Sequence, residues 1–303
     1  MSDFPSSVLV TCAGGAQGSA IVQACRAAGA TVRLLLRKGS PDPFGDGVNI
    51  VRGDLADADR VGLACLGVDA VALTLPLNAG PKEILRYGRN MIDAALAADV
   101  KLMVFNASGH VSRHSGTALM EAKVELIDRL KASGLPSIVL KPTLYMSNIA
   151  APWSAPAIVH RGVFAYPLPS DFRTSWISWE DMAAYVVEAM RRPELAGASL
   201  DIGGPEALTG QQIGDVLSDI VGRQVQYYPV PLADFATGLT AMLGKEAAEQ
   251  VAANYAWVHR QRSILFAVDL ADTIGMLPIK PTSFADWAKA QDWPALAGTE
   301  RAA

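Results

Sequence analysis

A doubly wound α/β fold, a parallel sheet with helices on both faces, is the class this sequence predicts, with a smaller mixed α/β region after it. Two observations point to it. Up to about residue 145, short apolar runs alternate with segments of helical periodicity, the pattern of parallel strands joined by crossover helices. The runs are apolar throughout rather than at every second position, as expected of strands covered on both faces. A third observation sets a seam near residue 150. All six tryptophans lie beyond it, from Trp153 to Trp293, and the three cysteines, Cys12, Cys25 and Cys65, lie before it. The expected domains are therefore 1–150 and 151–303, with some segments of the second returning to the first.

Taken in order, the expected strands of the first part are Val8–Cys12, Val32–Arg37, Asn49–Val51, Ala70–Leu75, Leu102–Asn106 and Ser137–Lys141. Between them Gly18–Ala28, Arg60–Cys65, Glu83–Ala98 and Leu119–Ser133 read as helices. Beyond the seam Glu180–Arg191 reads as a helix and Ser199–Ile202 as a strand ending at Gly203-Gly204-Pro205. Thr209–Val221 is a helix with Thr209 as its N-cap and Gly222 as its stop. Val225–Val230 reads as a strand and Glu246–His259 as a further helix.

Composition narrows the function. The 303 residues are 50% hydrophobic and 18% charged, which describes a globular chain. Lys and Arg total 26 against 30 for Asp and Glu, a net charge of −4. That balance argues against nucleic acid or an anionic membrane as the partner. No apolar run approaches the ~20 residues of a membrane span. The opening Met-Ser-Asp-Phe-Pro-Ser-Ser has no basic segment of a signal peptide. Three cysteines without CxxC spacing suit neither a disulfide scaffold nor a metal site, so a reducing cytoplasm is the expected compartment.

The strongest local signal is Val8-Leu9-Val10-Thr11-Cys12-Ala13-Gly14-Gly15-Ala16-Gln17-Gly18, followed by a helix. Glycines at a strand-to-helix turn let the backbone approach a pyrophosphate, and the helix N-terminus offers it free N–H groups. The position, first strand into first helix, strengthens this reading; an ordinary tight turn is the alternative. The second strand ends in Arg37-Lys38 with no carboxylate. In this topology that end lies beside the adenosine ribose, where a basic pair suits the 2′-phosphate of NADP rather than the 2′-hydroxyl of NAD. A solvated pair at a loop start is the alternative. Asp54, in Gly53-Asp54-Leu55, is placed either to accept from an adenine amino group or to cap the next helix.

These segments, with Gly67-Val68-Asp69-Ala70-Val71, Gly88–Ala95, Ala122-Lys123-Val124-Glu125, Gly134-Leu135-Pro136, Leu140–Asn148 and Gly203–Thr209, resemble the NmrA-like branch of the atypical short-chain dehydrogenases/reductases. The matches run in order across some two-thirds of the chain. The resemblance implies a Rossmann-type domain binding NADP(H) and a small C-terminal domain closing a substrate cleft. It implies a cofactor site made of Thr11, Gly14, Gly15, Ala16, Gln17 and Gly18, then Arg37, Lys38, Asp54 and Leu55. Thr74, Leu75, Pro76, Asn106, Ala107, Lys123, Pro142 and Tyr145 complete it. The family includes reductases of quinones, dyes and azo compounds and also non-catalytic sensors of the NADPH/NADP ratio. Its members occur as monomers and homodimers.

Two departures bear on chemistry. Where the family usually has glycine this chain has Cys12, whose thiol either acquires a depressed pKa near the helix N-terminus or is buried and inert. The Tyr-x-x-x-Lys pair of related enzymes is here Leu119 and Lys123. Lys123 can still hold the nicotinamide ribose, but no phenol stands four residues before it to protonate an alkoxide. Tyr145, His110 and His114 are the substitute acids on offer. Quinones, triarylmethane cations and other flat conjugated acceptors need no proton in the hydride step. Tyr145, Met146, Trp153, Phe164, Tyr166 and Trp176 are material for a flat apolar pocket, or for an ordinary core. The expected function is hydride transfer from NADPH to a small aromatic or conjugated acceptor, with Lys123, Tyr145 and His110 as catalytic candidates. An NADP(H)-sensing regulator and a carbonyl or alkene reductase with a substitute acid are the alternatives.

Overall fold

The alternation read from the sequence folds as expected in a computed structural model, which describes residues 4–45, 47–261 and 265–298. The chain runs β1 (Ser7–Val10), α1 (Ala16–Ala27), β2 (Thr31–Leu36), β3 (Val48–Arg52), α2 (Ala58–Cys65), β4 (Ala70–Thr74) and α3 (Pro81–Ala97). It continues through β5 (Leu102–Asn106), α4 (Ala118–Ala132), β6 (Ser137–Pro142), β7 (Val163–Tyr166), β8 (Thr174–Ser175), α5 (Trp179–Met190) and β9 (Ser199–Ile202). β10 (Ala207–Leu208), α6 (Gly210–Val221), β11 (Gln226–Pro229), α7 (Leu232–Leu243), α8 (Lys245–Arg260), α9 (Ala271–Met276), α10 (Phe284–Lys289) and α11 (Trp293–Ala297) complete it. Contacts divide these into two units. One holds the chain up to Pro142 with Trp179–Ile202 and Ala271–Ile279, the other Thr143–Ser178, Gly203–Leu270 and the chain from Lys280.

The first unit is built on a seven-stranded sheet in the order β3-β2-β1-β4-β5-β6-β9. Every pairing in it is parallel. β4 and β5 are buried at all five positions, which is why their sequences are unbroken apolar runs. Successive side chains still alternate between faces. Leu9, Val71, Leu73, Met103, Phe105 and Val139 point to one side, where Val61 of α2, Met91 and Ile92 of α3 and Leu126 and Leu130 of α4 meet them. Each such side chain contributes about 1.5–3 kcal/mol by leaving water. α1 packs on α5. Chain order reverses at β1, which pairs with β2 on one edge and β4 on the other. In open α/β sheets such a switch point opens a crevice at the carboxyl ends of the strands.

The second unit has two small sheets, β7 with β11 in parallel and β8 with β10 antiparallel. Thr209 caps α6 as its sequence predicts, in a capping box with Gln212, and Gly222 ends the helix at φ +70°. The core is aromatic: Phe164, Tyr166 and Trp176 are buried, with Tyr227 tilted against Phe164 and Tyr255 edge-on to Tyr166. Among the described residues no helix is long and apolar enough to cross a membrane.

Candidate functional site

The site begins at the switch point. The buried Thr11 hydroxyl donates to the Thr74 carbonyl at 2.6 Å and accepts from the Thr74 N–H at 2.8 Å, so this side chain latches β1 to β4. Cys12 then takes the left-handed conformation at φ +53°, which costs a residue with a Cβ roughly 1–2 kcal/mol. Its carbonyl accepts from the Gly15 N–H at 2.9 Å, closing the turn. A Cβ on Gly18 would stand 2.2 Å from that carbonyl oxygen, so helix and turn can pack this closely only with glycine there. Gly14 and Gly15 are different. A Cβ on Gly14 would meet nothing nearer than a Leu36 methyl at 3.9 Å, and one on Gly15 only the Cys12 oxygen at 3.4 Å. The fold itself does not require glycine at these two exposed positions, which leaves the turn open to close approach by a ligand.

α1 starts at Ala16, with Gly15 as an N-cap that supplies no side-chain hydrogen bond and no acidic residue in the first turn. Its first-turn N–H groups, with the positive end of the helix dipole, suit an anion. Arg37 and Lys38 stand exposed at the end of β2, and neither forms an ion pair among the described residues. Arg37 and Asp54 both act electrostatically on Cys12, which brings the ends of β2 and β3 to the glycine turn. Burial dominates there and pushes the Cys12 thiol up to about 12, which favours the inert reading of Cys12 over the activated one. The capping alternative for Asp54 also fails. Its carboxylate accepts from the Ala56 N–H at 2.8 Å, while Asp57 caps α2. Leu55 and Leu75 pack in the core. Pro76 forms a turn with Ala79, and Pro142 ends β6. The Thr74 hydroxyl oxygen is buried at the crevice with no partner among the described residues.

The loop leaving β5 is anchored from two sides. Asn106 Nδ2 and the Ser108 hydroxyl both donate to Gln17 Oε1, at 2.8 and 3.1 Å, which ties the loop to the first turn of α1. Lys123 Nζ, on α4, donates to the Ala107 carbonyl at 2.7 Å. Desolvation pulls the Lys123 ammonium down to about 8. Leu119, one turn earlier, packs on the core. Ser108 and His114 both have left-handed backbones, at φ +55° and +58°.

His114 is exposed, but His110 is not. Its side chain is 9% exposed, and its Nδ1 lies 3.6 Å from Asp201 Oδ1. Lys141 Nζ donates to the other oxygen of Asp201 at 3.0 Å. Burial pushes the Asp201 carboxyl up, but the His110 ring and the Lys141 ammonium outweigh it and hold the group below the usual carboxylate range. Sequence reading assigned neither Asp201 nor Lys141 to the site. The available signal was a charged residue inside each of the otherwise apolar runs Ser199–Ile202 and Ser137–Pro142.

Tyr145 belongs to the second unit, where it opens the turn Met146–Asn148 and forms a parallel bridge with Ile177. Of the residues offered for an acceptor pocket, Tyr145, Met146, Phe164, Tyr166 and Trp176 are buried, and Trp153 is 54% exposed. Phe164, Tyr166 and Trp176 surround a space of only about 10 Å³. That is about room for one water, so these three are core. The Tyr166 and Tyr255 hydroxyls bond to each other at 2.6 Å, and Asn148 donates to Tyr166.

The family model for the NmrA-like family matches residues 5–288. The chain belongs to the NmrA-like family. Among its relatives is the NAD(P)H azoreductase of Xenophilus azovorans, 27% identical over 93% of this chain and 97% of the relative. The NADPH complex of the Escherichia coli NADPH-dependent quinone oxidoreductase superposes with a TM-score of 0.76 at 22% identity, over 93% of this chain and 98% of that one. The NADP(H) complex of the Citrobacter sp. triphenylmethane reductase gives 0.78 at 18% identity, over 93% and 99%. This NmrA-like chain thus has the Rossmann-type fold that its seven-stranded sheet displays.

Proposed function

We propose that this NmrA-like protein is an NADPH-dependent reductase that passes a hydride directly to a flat conjugated acceptor such as a quinone, dye, azo compound or enone. The observation that carries the reading is the open glycine turn. At Gly14 and Gly15 the chain leaves room beside an uncapped helix N-terminus, and the fold has no need of glycine at either. A dinucleotide pyrophosphate fits that chemistry. Arg37 and Lys38, exposed and free of acidic partners among the described residues, suit a 2′-phosphate. Relatives named as NAD(P)H azoreductase and quinone oxidoreductase support the same reading.

When bound, NADPH supplies the hydride, and the rest is the chain's work. The first-turn N–H groups of α1 hold the pyrophosphate. Lys123 is fixed by the Ala107 carbonyl and is about nine-tenths charged at pH 7 with a pKa of about 8, so it holds the ribose hydroxyls. Leu119 brings no acid, which favours acceptors whose reduced forms are stabilised by conjugation. The second unit, which holds Tyr145, is the substrate-binding region in this reading.

The test is NADPH oxidation followed by absorbance against quinones, triarylmethane and azo dyes, conjugated enones and simple ketones. Turnover confined to the conjugated acceptors is the expected result. NADPH binding without turnover of any acceptor would overturn it.

A further inference from the structure

His110 and Asp201 come from distant parts of the chain, yet the fold sets them side by side. His110 lies in the loop that leaves the carboxyl end of β5, and the root of that loop is locked to α1 by Gln17 and to α4 by Lys123. The ring is nearly buried, with Nδ1 3.6 Å from a carboxylate oxygen that is itself sealed from solvent and has no closer hydrogen-bond partner among the described residues. Asp201 is held in turn. Lys141 binds its other oxygen, and Thr273 on α9 donates to its carbonyl at 2.9 Å. Asp201 of β9 is the charged group beside the ring, and Lys141 of β6 is ion-paired with that carboxylate. A histidine with Nδ1 beside a carboxylate is biased in tautomer and orientation, and it exchanges its proton through Nε2.

We propose that His110 is the proton donor to acceptors that need one, that Asp201 is its positioning residue, and that Lys141 holds Asp201 in place. The inference rests on the reductase reading above and names the acid that Leu119 does not provide. In the reduction of an azo compound, the hydride forms an N–H bond at one nitrogen. The electron pair of the N=N π bond moves to the other nitrogen, which takes the Nε2 proton of the His110 imidazolium and leaves the ring neutral with its proton on Nδ1. NADP⁺ and a hydrazine are the products, and water returns a proton to the imidazole. A triarylmethane cation takes the hydride at carbon and becomes neutral, so it needs no proton. The two acceptors therefore separate the acid from the rest of the site.

Two measurements test this. The first is nitrogen-resolved NMR of the histidine rings in the unmodified protein and in D201N. The neutral His110 ring should carry its proton on Nδ1, and in D201N that tautomer preference should be lost. A ring that is indifferent to D201N overturns the pairing, and reading it requires no change at His110. The second compares kcat/KM for a sulfonated azo dye and for a triarylmethane cation in H110Q, with NADPH affinity confirming the fold. The azo rate should fall by about a hundredfold or more, at least ten times further than the cation rate. Equal losses, or no loss, overturn the proposal while leaving the reductase reading intact. An unmodified protein that oxidises NADPH with neither dye overturns both.

Discussion

Gly14 and Gly18 sit four residues apart in one turn, and their alanine variants should fail in opposite ways. In Gly18→Ala the new Cβ would stand 2.2 Å from the Cys12 carbonyl oxygen, 2.5 Å from its carbon and 2.8 Å from Ala13 Cα. All three are backbone atoms, so no side chain can swing aside, and the helix must retreat by about 1 Å. Such overpacking costs about 1–3 kcal/mol, while replacing glycine in a helix returns about 0.5–1 kcal/mol. The net loss is about 1–2 kcal/mol, seen in the cofactor-free protein as a lower thermal midpoint. In Gly14→Ala the nearest atom is 3.9 Å away, so stability should stay within about 0.5 kcal/mol of the parent. The methyl group then occupies the surface offered to the pyrophosphate, and NADPH affinity should fall at least tenfold, about 1.4 kcal/mol. Thermal unfolding without cofactor and fluorescence titration with NADPH read the two effects separately. A Gly14→Ala protein that binds NADPH like the parent would refute the placement of the cofactor. A Gly18→Ala protein of parental stability would refute the packing argument.

Three further outcomes follow from the same geometry. Arg37→Ala should weaken NADPH by about ten- to a hundredfold, the value of a charge-assisted phosphate contact, and NADH far less; equal losses in fluorescence titrations of both cofactors would contradict the 2′-phosphate assignment. Burial pushes Cys12, Cys25 and Cys65 each up to about 12, so iodoacetamide at pH 8 should label none of the three in the native protein and all in denaturant; rapid native alkylation at Cys12 would show an activated thiol. Folding lowers Lys123 from 10.5 to about 8, so the unfolded chain binds the extra proton in that window and the parent gains stability there as the cost of burying the Lys123 charge falls with rising pH. Lys123→Met removes that gain, and denaturant titrations at pH 7 and 10 should show the variant's stability dropping relative to the parent by about 1–3 kcal/mol; a pH-independent difference would contradict the desolvated ammonium.

The six strands read from the first part of the sequence exist because buried parallel strands write their environment into every residue. β5 matches its expected bounds, Leu102–Asn106, and the others differ by a residue or two at an end. α1 starts two residues before the expected Gly18, because that glycine is a close-packing position inside the helix rather than its boundary. The second unit was less legible. α7 carries Gly238 and no sustained polar face, while α10 and α11 are five or six residues long, too short for a 3.6-residue period to register, as is α9 in the first unit. β7, β8 and β10 are likewise short.

The site divides along the same line. The glycine turn, Arg37 and Lys123 are contiguous motifs or lie at recognisable spacing. The Asp57 cap was misassigned to Asp54 as an alternative because both precede the same helix within one turn. The pairing of His110 with Asp201 depends on the neighbouring registers of β6 and β9, where Lys141 sits opposite Asp201, and no local pattern encodes it.

The central claim is direct hydride transfer from NADPH to a conjugated acceptor, and isotopic labelling tests it most directly. NADPH deuterated at the transferring position of the nicotinamide would be incubated with the protein and a triarylmethane cation, and the colourless product weighed by mass spectrometry. Direct transfer predicts one deuterium per molecule of product, bonded to the central carbon and retained in ordinary water. A product that carries solvent hydrogen at that carbon, or a dye that keeps its colour while NADPH is bound, would contradict it.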